Sequence, residues 1–274
     1  MPIITLTTDF GRKDPDVAYL KSLILNQIPQ AQCIDISHDI TPFVPDEAVY
    51  IVQNTLPHFP KGSIHFIGVD SASNEEEKPI LCVANDQYFL SNDNGILTTA
   101  LSEQNVMTYS LPFKKNDSFM TSQIDVAKQL LAGQKPEDLG NLIEQPKTLK
   151  LSPPFVKLDD TTQKVNLIAT KVIYNDNYGN AVFDLKKSDF DQWHDDRPYK
   201  IKVGPYVIDQ MVANYKDILN SPEESLIADG DMFAHFNHFG YFEIFVYKSN
   251  HQTGGANTLL GLQKNQIVHI VFES

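Results

Sequence analysis

The fold is decided near the start of the chain, where the apolar run Ile3-Ile4-Thr5-Leu6-Thr7-Thr8 leads directly into Asp9-Phe10-Gly11. Such a run is typical of a buried strand, and the glycine after it marks a turn. A second strand-like run ends in a similar way, at Asp35-Ile36-Ser37-His38. Open α/β sheets bind ligands at the carboxyl edge of their strands. These residues therefore predict a ligand site at a sheet edge.

The rest of the first half alternates between strand and helix patterns. Apolar residues recur at helical spacing from Val17 to Ile28 and from Ala48 to Leu56, and each run is followed by a proline. Strand, helix and strand in succession imply parallel pairing, so residues 1–145 are predicted to form a layered α/β domain. The other strand-like runs lie at 32–36, 63–69 and 79–84, and a third helix pattern at 124–131.

The second half of the chain has a different residue pattern. The stretch 146–163 contains three prolines and the polar turn Asp159-Asp160-Thr161-Thr162, and we predict that it is a linker. Beyond it, short strand-like runs are separated by Gly and Asn. We therefore expect residues 164–274 to form a small all-β, barrel-like domain. Its strand-like runs lie at 165–172, 199–203, 241–247 and 267–272.

Composition restricts the class of protein. A formal net charge of -13 argues against a nucleic-acid partner, which would need a clustered basic face. No apolar run approaches the ~20 residues that cross a bilayer, so no membrane partner is expected and a cytoplasmic location is predicted. Cys33 and Cys82 lie in apolar runs, which favours buried free thiols over a redox pair.

A series of motifs carries a resemblance to a known family. In order, they are Thr8-Asp9-Phe10-Gly11, Asp35-Ile36-Ser37-His38, Asn94-Gly95-Ile96-Leu97-Thr98, Asp176-Asn177-Tyr178-Gly179-Asn180, Gly240-Tyr241-Phe242-Glu243-Ile244 and the segment from Ala256 to Leu262. Together they resemble the S-adenosylmethionine hydroxide adenosyltransferases, the family that also contains the fluorinases and chlorinases. The resemblance implies that water attacks the ribose C5′ of S-adenosylmethionine and that adenosine and methionine are formed. S-adenosylmethionine is then the substrate, and no other cofactor is expected.

The resemblance assigns roles to residues of the first half. Asp70 is the catalytic candidate, a carboxylate that orients water. Asp9 is expected to grip the ribose hydroxyls, with Asp14 a second substrate-binding candidate, although either could instead cap a helix or turn. Phe43 and Phe119 would form apolar walls of the pocket, with ordinary core packing as the alternative. Thr121 lies where halogenating members of the family place a halide-binding serine.

In the second half, the resemblance implies a site for the adenine and the methionine. Tyr178 would stack on the adenine, Asn180 would hydrogen-bond to it, and Asp176 would hold the methionine ammonium group. A backbone group of Ala256 would also contact the adenine. The alternative is that Asp176 to Asn180 simply form a turn. The resemblance further implies a site between the domains that a neighbouring subunit completes, in a homotrimer or a dimer of trimers.

The sequence departs from the family at catalytic positions. Glu77 occupies the position of the family's arginine, with Lys78 as a possible replacement, and Met120 stands where a histidine is expected. The ligand-binding part of the pattern therefore survives better than the catalytic part. Two alternatives stay open: a catalytically impaired protein that binds S-adenosylmethionine or adenosine, and a relative that uses another nucleophile.

A metal-dependent hydrolase is the competing class of enzyme. Histidine and carboxylate side chains in one short segment can bind a divalent cation. The candidate sets are Asp35, His38 and Asp39, or His235 with His238, but neither has a further ligand at convincing spacing. No metal is therefore predicted.

Overall fold

The computed structural model describes residues 1–71, 78–112, 118–209, 211–213, 215, 218, 227–249 and 254–273. The chain divides into two compact units, Met1–Leu151 and Ser152–Ser274. This division falls inside the stretch predicted to be a linker, and the second part of that stretch contains a strand, Phe155–Leu158.

The first unit is built on a mixed sheet of seven strands. Its spatial order is β2-β1-β3-β5-β4-β6-β7, and β2, β1, β3 and β5 run parallel while the other pairs are antiparallel. The carboxyl ends of the four parallel strands therefore share one edge. The strands are β1 (Ile3–Thr8), β2 (Gln32–Ser37), β3 (Ile64–Gly68), β4 (Pro79–Ala84), β5 (Gln87–Asn92), β6 (Met107–Ser110) and β7 (Asn141–Leu142).

Helices cover both faces of this sheet. Successive strand residues point to opposite faces, so Phe66 packs with α1 and α4, whereas Ile67 packs with α2 and α3. Two hydrophobic cores result, one on each side of the sheet, which is the layered architecture predicted from the sequence. The helices are α1 (Asp16–Gln27), α2 (Pro45–Thr55), α3 (Ile96–Ala100), α4 (Phe119–Leu131) and α5 (Pro136–Leu139).

The second unit is an antiparallel sheet that is nearly closed into a barrel. Its strand order is β12-β11-β15-β9-β10-β14-β13, and β8 also pairs with β9. Phe183 and Phe242 meet in its interior, with ring centroids 5.1 Å apart. The elements are β8 (Phe155–Leu158), β9 (Val165–Asn175), β10 (Ala181–Lys186), α6 (Lys187–His194), β11 (Tyr199–Val203), β12 (Tyr206–Ile208), β13 (Met232–Phe236), β14 (Tyr241–Val246), α7 (Ala256–Leu259) and β15 (Ile267–Phe272).

The predicted fold class, an α/β layered unit followed by a small all-β barrel-like unit, is confirmed. Among the described residues, no helix has the length and apolar character needed to cross a bilayer. Cys33 and Cys82 are free thiols, the first half-buried and the second buried. Burial raises the pKa of Cys82 to about 12, so its thiol stays protonated at neutral pH.

Candidate active site

The parallel strands of the first unit bring four polar residues to one edge of the sheet. Asp9 follows β1, His38 follows β2, Asp70 lies two residues beyond β3, and Asn94 lies two residues beyond β5. We refer to these four residues as the sheet-edge cluster. Its members are spread over about 85 positions of sequence and meet because parallel pairing aligns the strand ends.

Asp9 and Asp70 are in direct contact within this cluster. The backbone N–H of Asp70 donates to Oδ2 of Asp9 at 3.0 Å. This bond comes from a residue 61 positions away rather than from the helix or turn that follows Asp9, and it uses one carboxylate oxygen. None of the described residues donates to the other oxygen, Oδ1, so it is available to a ligand hydroxyl.

The backbone at Asp70 has an unusual conformation. Its φ of +47° lies in the left-handed region, which costs free energy for any residue with a side chain. Two side-chain amides at the end of β5 hold this segment in place. Asn94 donates to the Val69 carbonyl and Asn92 donates to the Ser71 carbonyl, each at 3.0 Å. These two bonds position the backbone on both sides of the predicted catalytic carboxylate.

A polar chain leads from the surface to the residue before Asp9. Lys21 Nζ donates to Asp35 Oδ2 at 2.6 Å, and His38 Nδ1 lies 2.7 Å from the hydroxyl oxygen of Thr8. Between these bonds, His38 Nε2 lies 3.2 Å from Asp35 Oδ1, at an angle that does not make a hydrogen bond. Burial raises the pKa of Asp35, but its contacts with Lys21 and His38 outweigh this effect and hold the pKa below its usual value. Asp35 therefore links β2 to α1, and His38 links the end of β2 to the end of β1.

Phe43 is exposed and its backbone has a φ of +62°. Its side chain is 80% exposed, so the alternative of ordinary core packing does not apply. An exposed aromatic ring held in a costly conformation is consistent with the predicted role as a ligand-facing wall.

The other candidates of the first unit lie in different settings. Asp14 is exposed and does not cap α1, whose cap residue is Pro15. Thr121 lies in the first turn of α4, where its backbone N–H and its hydroxyl both donate to Ser118. Phe119 begins α4, but its side chain lies outside the described residues. The ligand-binding roles of Asp14, Phe119 and Thr121 stay predictions.

The catalytic positions in which the sequence departs from the family differ in their surroundings. Met120 is partly buried and packs on the core beneath α1 and α4, as an apolar side chain would. Lys78 is exposed, and Glu77 lies outside the described residues. Among the described residues, no three His, Cys, Asp or Glu side chains are grouped as metal ligands would be.

In the second unit, the turn between β9 and β10 carries Asp176, Tyr178 and Asn180. Oδ1 of Asp176 accepts the backbone N–H groups of Tyr178 and Asn180 at 2.8 and 2.9 Å, and Oδ2 accepts the side-chain amide of Asn180 at 2.9 Å. The turn-forming alternative is thus observed for Asp176. Burial raises the pKa of its carboxyl, and the charge of nearby Glu243 adds to this effect, while the hydrogen bonds oppose it. Its predicted bond to an ammonium group stays a prediction.

This turn packs tightly against the segment that contains Ala256. Gly179 O accepts the backbone N–H of Asn257 at 3.0 Å, and a Cβ on Gly255 would lie 2.7 Å from Gly179 Cα. Only glycine allows this approach at position 255. Ala256 itself is fully buried at the start of α7. Its predicted backbone contact with adenine is not tested by these packing contacts.

A cavity of about 430 Å³ opens beside the same turn, and we call it the Asn180 cavity. Its volume suits a small ligand. Tyr178 is 64% exposed at this cavity, so its ring is accessible for stacking. The lining residues are Tyr178, Asn180, Tyr215, His235, Glu243, Phe245, Val246, Lys248 and Ser249. Glu243 was not predicted as a site residue, although it lies within a motif that carries the family resemblance, Gly240-Tyr241-Phe242-Glu243-Ile244.

Comparison with known families decides the membership. The model of the SAM hydroxide adenosyltransferase N-terminal domain matches residues 4–140, and that of the C-terminal domain matches residues 170–269. The chain belongs to the SAM hydroxide adenosyltransferase family. The resemblance predicted from the motifs is therefore confirmed, and each of the family's two domains corresponds to one unit of the structure.

Individual relatives agree with this membership. A protein of Methanocaldococcus jannaschii named (R)-S-adenosyl-L-methionine hydrolase is 28% identical over 202 residues, which cover 69% of each chain. A protein of Salinispora tropica with the same name is 23% identical over 190 residues, or 66% of this chain and 70% of the relative.

Solved structures support the fold. The crystal structure of an uncharacterized conserved protein from Thermotoga maritima has a TM-score of 0.77 and 24% identity, and it covers 98% of this chain and 99% of its own. The crystal structure of a conserved hypothetical protein from Thermus thermophilus has a TM-score of 0.68 and 20% identity, over 99% and 100% of the two chains.

Proposed function

We propose that this protein hydrolyses S-adenosylmethionine at the ribose C5′ to give adenosine and methionine. Family membership and the relatives' names support this reaction class. The observation that carries the proposal is the hydrogen bond from the Asp70 backbone to Asp9 in the sheet-edge cluster, because it ties the residue predicted to orient water to a carboxylate that can bind a diol.

The proposed chemistry is an in-line displacement. A bond forms from the water oxygen to C5′ as the bond from C5′ to sulfur breaks, and its electron pair returns to sulfur. The sulfonium becomes the neutral thioether of methionine, so the leaving group needs no proton. Asp70 accepts the proton that the water loses and releases it to solvent. The protein must chiefly hold the three reacting atoms in line and exclude other water.

The other predicted residues serve binding in this proposal. Asp9 accepts hydrogen bonds from the ribose hydroxyls, and the exposed ring of Phe43 covers the sugar. In the second unit, Tyr178 stacks on the adenine and Asn180 bonds to its edge. We also propose that the protein is cytoplasmic and that it forms a homotrimer or a dimer of trimers. Light scattering of the purified protein would test the oligomeric state.

The first experiment is incubation of the purified protein with S-adenosylmethionine, with adenosine and methionine followed by chromatography. Both sulfonium epimers are supplied separately, because the relatives' names specify the (R) form. The substitution Asp70→Asn keeps the shape, and asparagine tolerates a positive φ. It is expected to lower kcat about a hundredfold or more with KM little changed, because only the proton acceptor is lost.

The matched control is Asp39→Asn, which removes an exposed carboxylate that pairs with Arg12 at 3.4 Å. Its turnover should equal that of the wild type. A second variant, Asp9→Ala, should instead raise KM or abolish binding. Full activity of Asp70→Asn would show that the assigned mechanism is wrong, even if adenosine is the product.

A second candidate function is binding of S-adenosylmethionine without chemistry. Met120 favours it, because a thioether that packs on the core occupies the position where the family places a histidine. Calorimetric binding of S-adenosylmethionine with no adenosine above a no-enzyme control would select this function over hydrolysis.

A further inference from the structure

The amide nitrogen of Asn180 is held by two carboxylates. Nδ2 donates to Oδ2 of Asp176 at 2.9 Å and to Oε1 of Glu243 at 3.0 Å. An amide nitrogen carries two hydrogens, so these two bonds use both of its donors. No described residue donates to Oδ1, the remaining polar atom of the amide. Asn180 therefore offers the cavity that it lines an acceptor and no donor.

This orientation follows from the chemistry of the neighbours. Ionised carboxylates only accept hydrogen bonds, so turning the amide over would set Oδ1 against two carboxylate oxygens. Asp176 also accepts two backbone N–H groups of its own turn and is fixed by them. The orientation of the amide is thus determined by groups behind it, before any ligand binds.

Glu243 is the member of this arrangement that comes from outside the turn. It lies on β14, is only 7% exposed, and accepts from Asn180 at Oε1 and from Asn237 Nδ2 at Oε2, each at 3.0 Å. His235 Nε2 lies 3.3 Å from Oε1, again without hydrogen-bond geometry. A carboxylate can accept at both oxygens, whereas the glutamine amide has one acceptor and one donor group.

We propose that Glu243 is a positioning residue that fixes the Asn180 amide, so that the Asn180 cavity selects a 6-amino purine over a 6-oxo purine. This inference rests on the proposed function, in which Asn180 contacts the purine. The 6-amino group of adenine donates to Asn180 Oδ1. The 6-oxo group of hypoxanthine sets two acceptors against each other and leaves both unpaired, which a site built for a donor rejects.

The test measures binding of three nucleosides to the full-length wild-type protein by calorimetry. Adenosine carries a 6-amino donor, purine riboside carries hydrogen at that position, and inosine carries a 6-oxo acceptor. Adenosine should bind most tightly, purine riboside next and inosine weakest, with adenosine favoured over inosine by roughly tenfold or more. Equal binding of adenosine and inosine, or no binding of any nucleoside, would overturn the inference.

The substitution Glu243→Gln tests the positioning role. Glutamine has one acceptor oxygen and no charge, so the bond from Asn180 is either lost or becomes a weaker neutral bond. The preference for adenosine over inosine should therefore fall by about threefold or more. If Glu243 had a merely structural role, the substitution would weaken the binding of all three nucleosides equally and leave the ratios of their affinities unchanged. An unchanged ratio would overturn the role of Glu243.

The matched control is Asp184→Asn, which makes the same chemical change at a partly buried carboxylate of the same barrel. Asp184 accepts from Thr170 and from the Lys171 backbone and does not contact Asn180. Its nucleoside ratio should equal that of the wild type, and an equal loss of preference in both variants would contradict the proposal. If Glu243→Gln does not fold, the wild-type nucleoside order still decides the orientation of the amide.

Nucleoside binding and turnover of S-adenosylmethionine are measured separately, so the two proposals can fail independently. Selective adenosine binding without turnover refutes hydrolysis and retains the inference. Turnover with equal affinity for adenosine and inosine retains hydrolysis and refutes the inference.

Discussion

At the residue scale, the two acidic residues of the sheet-edge cluster differ in their hydrogen bonds and in their backbone conformation. Asp9 accepts one backbone bond, whereas the backbone of Asp70 is held in a left-handed conformation by amides beyond β3. The sequence predicted both residues, but through the motif around Asp9 and the family pattern around Asp70. It could not predict that one of them holds the backbone of the other, because 61 positions separate them.

A second residue-scale property concerns His65 in the core. Its Nδ1 lies 2.8 Å from the Thr5 hydroxyl, and its ring lies against Phe89 with centroids 4.6 Å apart. Burial lowers the pKa of His65 from 6.5 to about 3, so the folded protein keeps the imidazole neutral. Below pH 6.5 the unfolded chain binds a proton that the folded chain does not bind, so acid destabilises the fold.

We therefore predict that His65→Gln reduces the acid sensitivity of folding. The wild type should lose about 1.4 kcal/mol per pH unit from this group as the pH falls below 6.5, or about 2 kcal/mol by pH 5. Denaturant unfolding at about pH 7.5 and pH 5 measures this loss in both proteins. The fall between the two pH values should be smaller in the variant by about that amount. Equal falls would show that His65 titrates normally in the folded protein.

At the scale of the elements, the motif Asn94-Gly95 connects two strand ends. Asn94 Nδ2 donates to the Val69 carbonyl, and its Oδ1 accepts the backbone N–H of Ile96 in the first turn of α3. Gly95 has a φ of +91°, and a Cβ there would lie 3.0 Å from the backbone of Thr148 and Leu149. The asparagine thus connects α3 to the backbone before Asp70, and the glycine allows the close approach of residues 148 and 149.

The substitution Asn94→Ala is predicted to lower the free energy of unfolding by about 1 to 3 kcal/mol, because it removes a partner from two backbone groups. It should also lower turnover, since the Val69 carbonyl, next to Asp70, then loses its hydrogen bond from Asn94. The control is Asn54→Ala, which removes only a bond to the Tyr50 carbonyl within α2 and should change stability by less than about 0.5 kcal/mol. Denaturant unfolding and the adenosine assay give both readouts, and equal effects of the two substitutions would contradict the role of Asn94.

At the scale of the whole molecule, each unit has hydrophobic cores of its own. The first unit carries one on each face of its sheet, and the second carries a core inside its barrel. A unit with its own core can fold without the rest of the chain.

We predict that the fragment 1–151 folds alone and unfolds cooperatively in denaturant, with a dispersed amide spectrum by nuclear magnetic resonance. A fragment that begins at 152 should behave likewise. A fragment of 1–145 that aggregates, compared with 1–151 that folds, would show that Lys147 and Leu149 matter, because their backbone N–H groups bond to Asp93 and Thr99. Failure of 1–151 itself to fold would contradict the independence of the first unit.

The sequence by itself determined the elements with strong local patterns. The runs that form β1 to β4 were predicted because their residues and flanking turns carry the signal within a few positions. Helix α4 begins at Phe119, earlier than the predicted 124, because Ser118 caps it before the apolar spacing starts. The family and the two fold classes also followed from local motifs and their order.

Only the tertiary structure decided how these elements are joined into sites. Strand β5 was not predicted, because its sequence Gln-Tyr-Phe-Leu-Ser-Asn has no β-branched residue, and its insertion between β3 and β4 depends on distant partners. The family resemblance implied a hydrogen bond from Asn180 to adenine, but not which side of the amide faces the ligand. Glu243, 63 positions away, uses one of its two donors, and a carboxylate at that distance is brought there only when β10 pairs with β14.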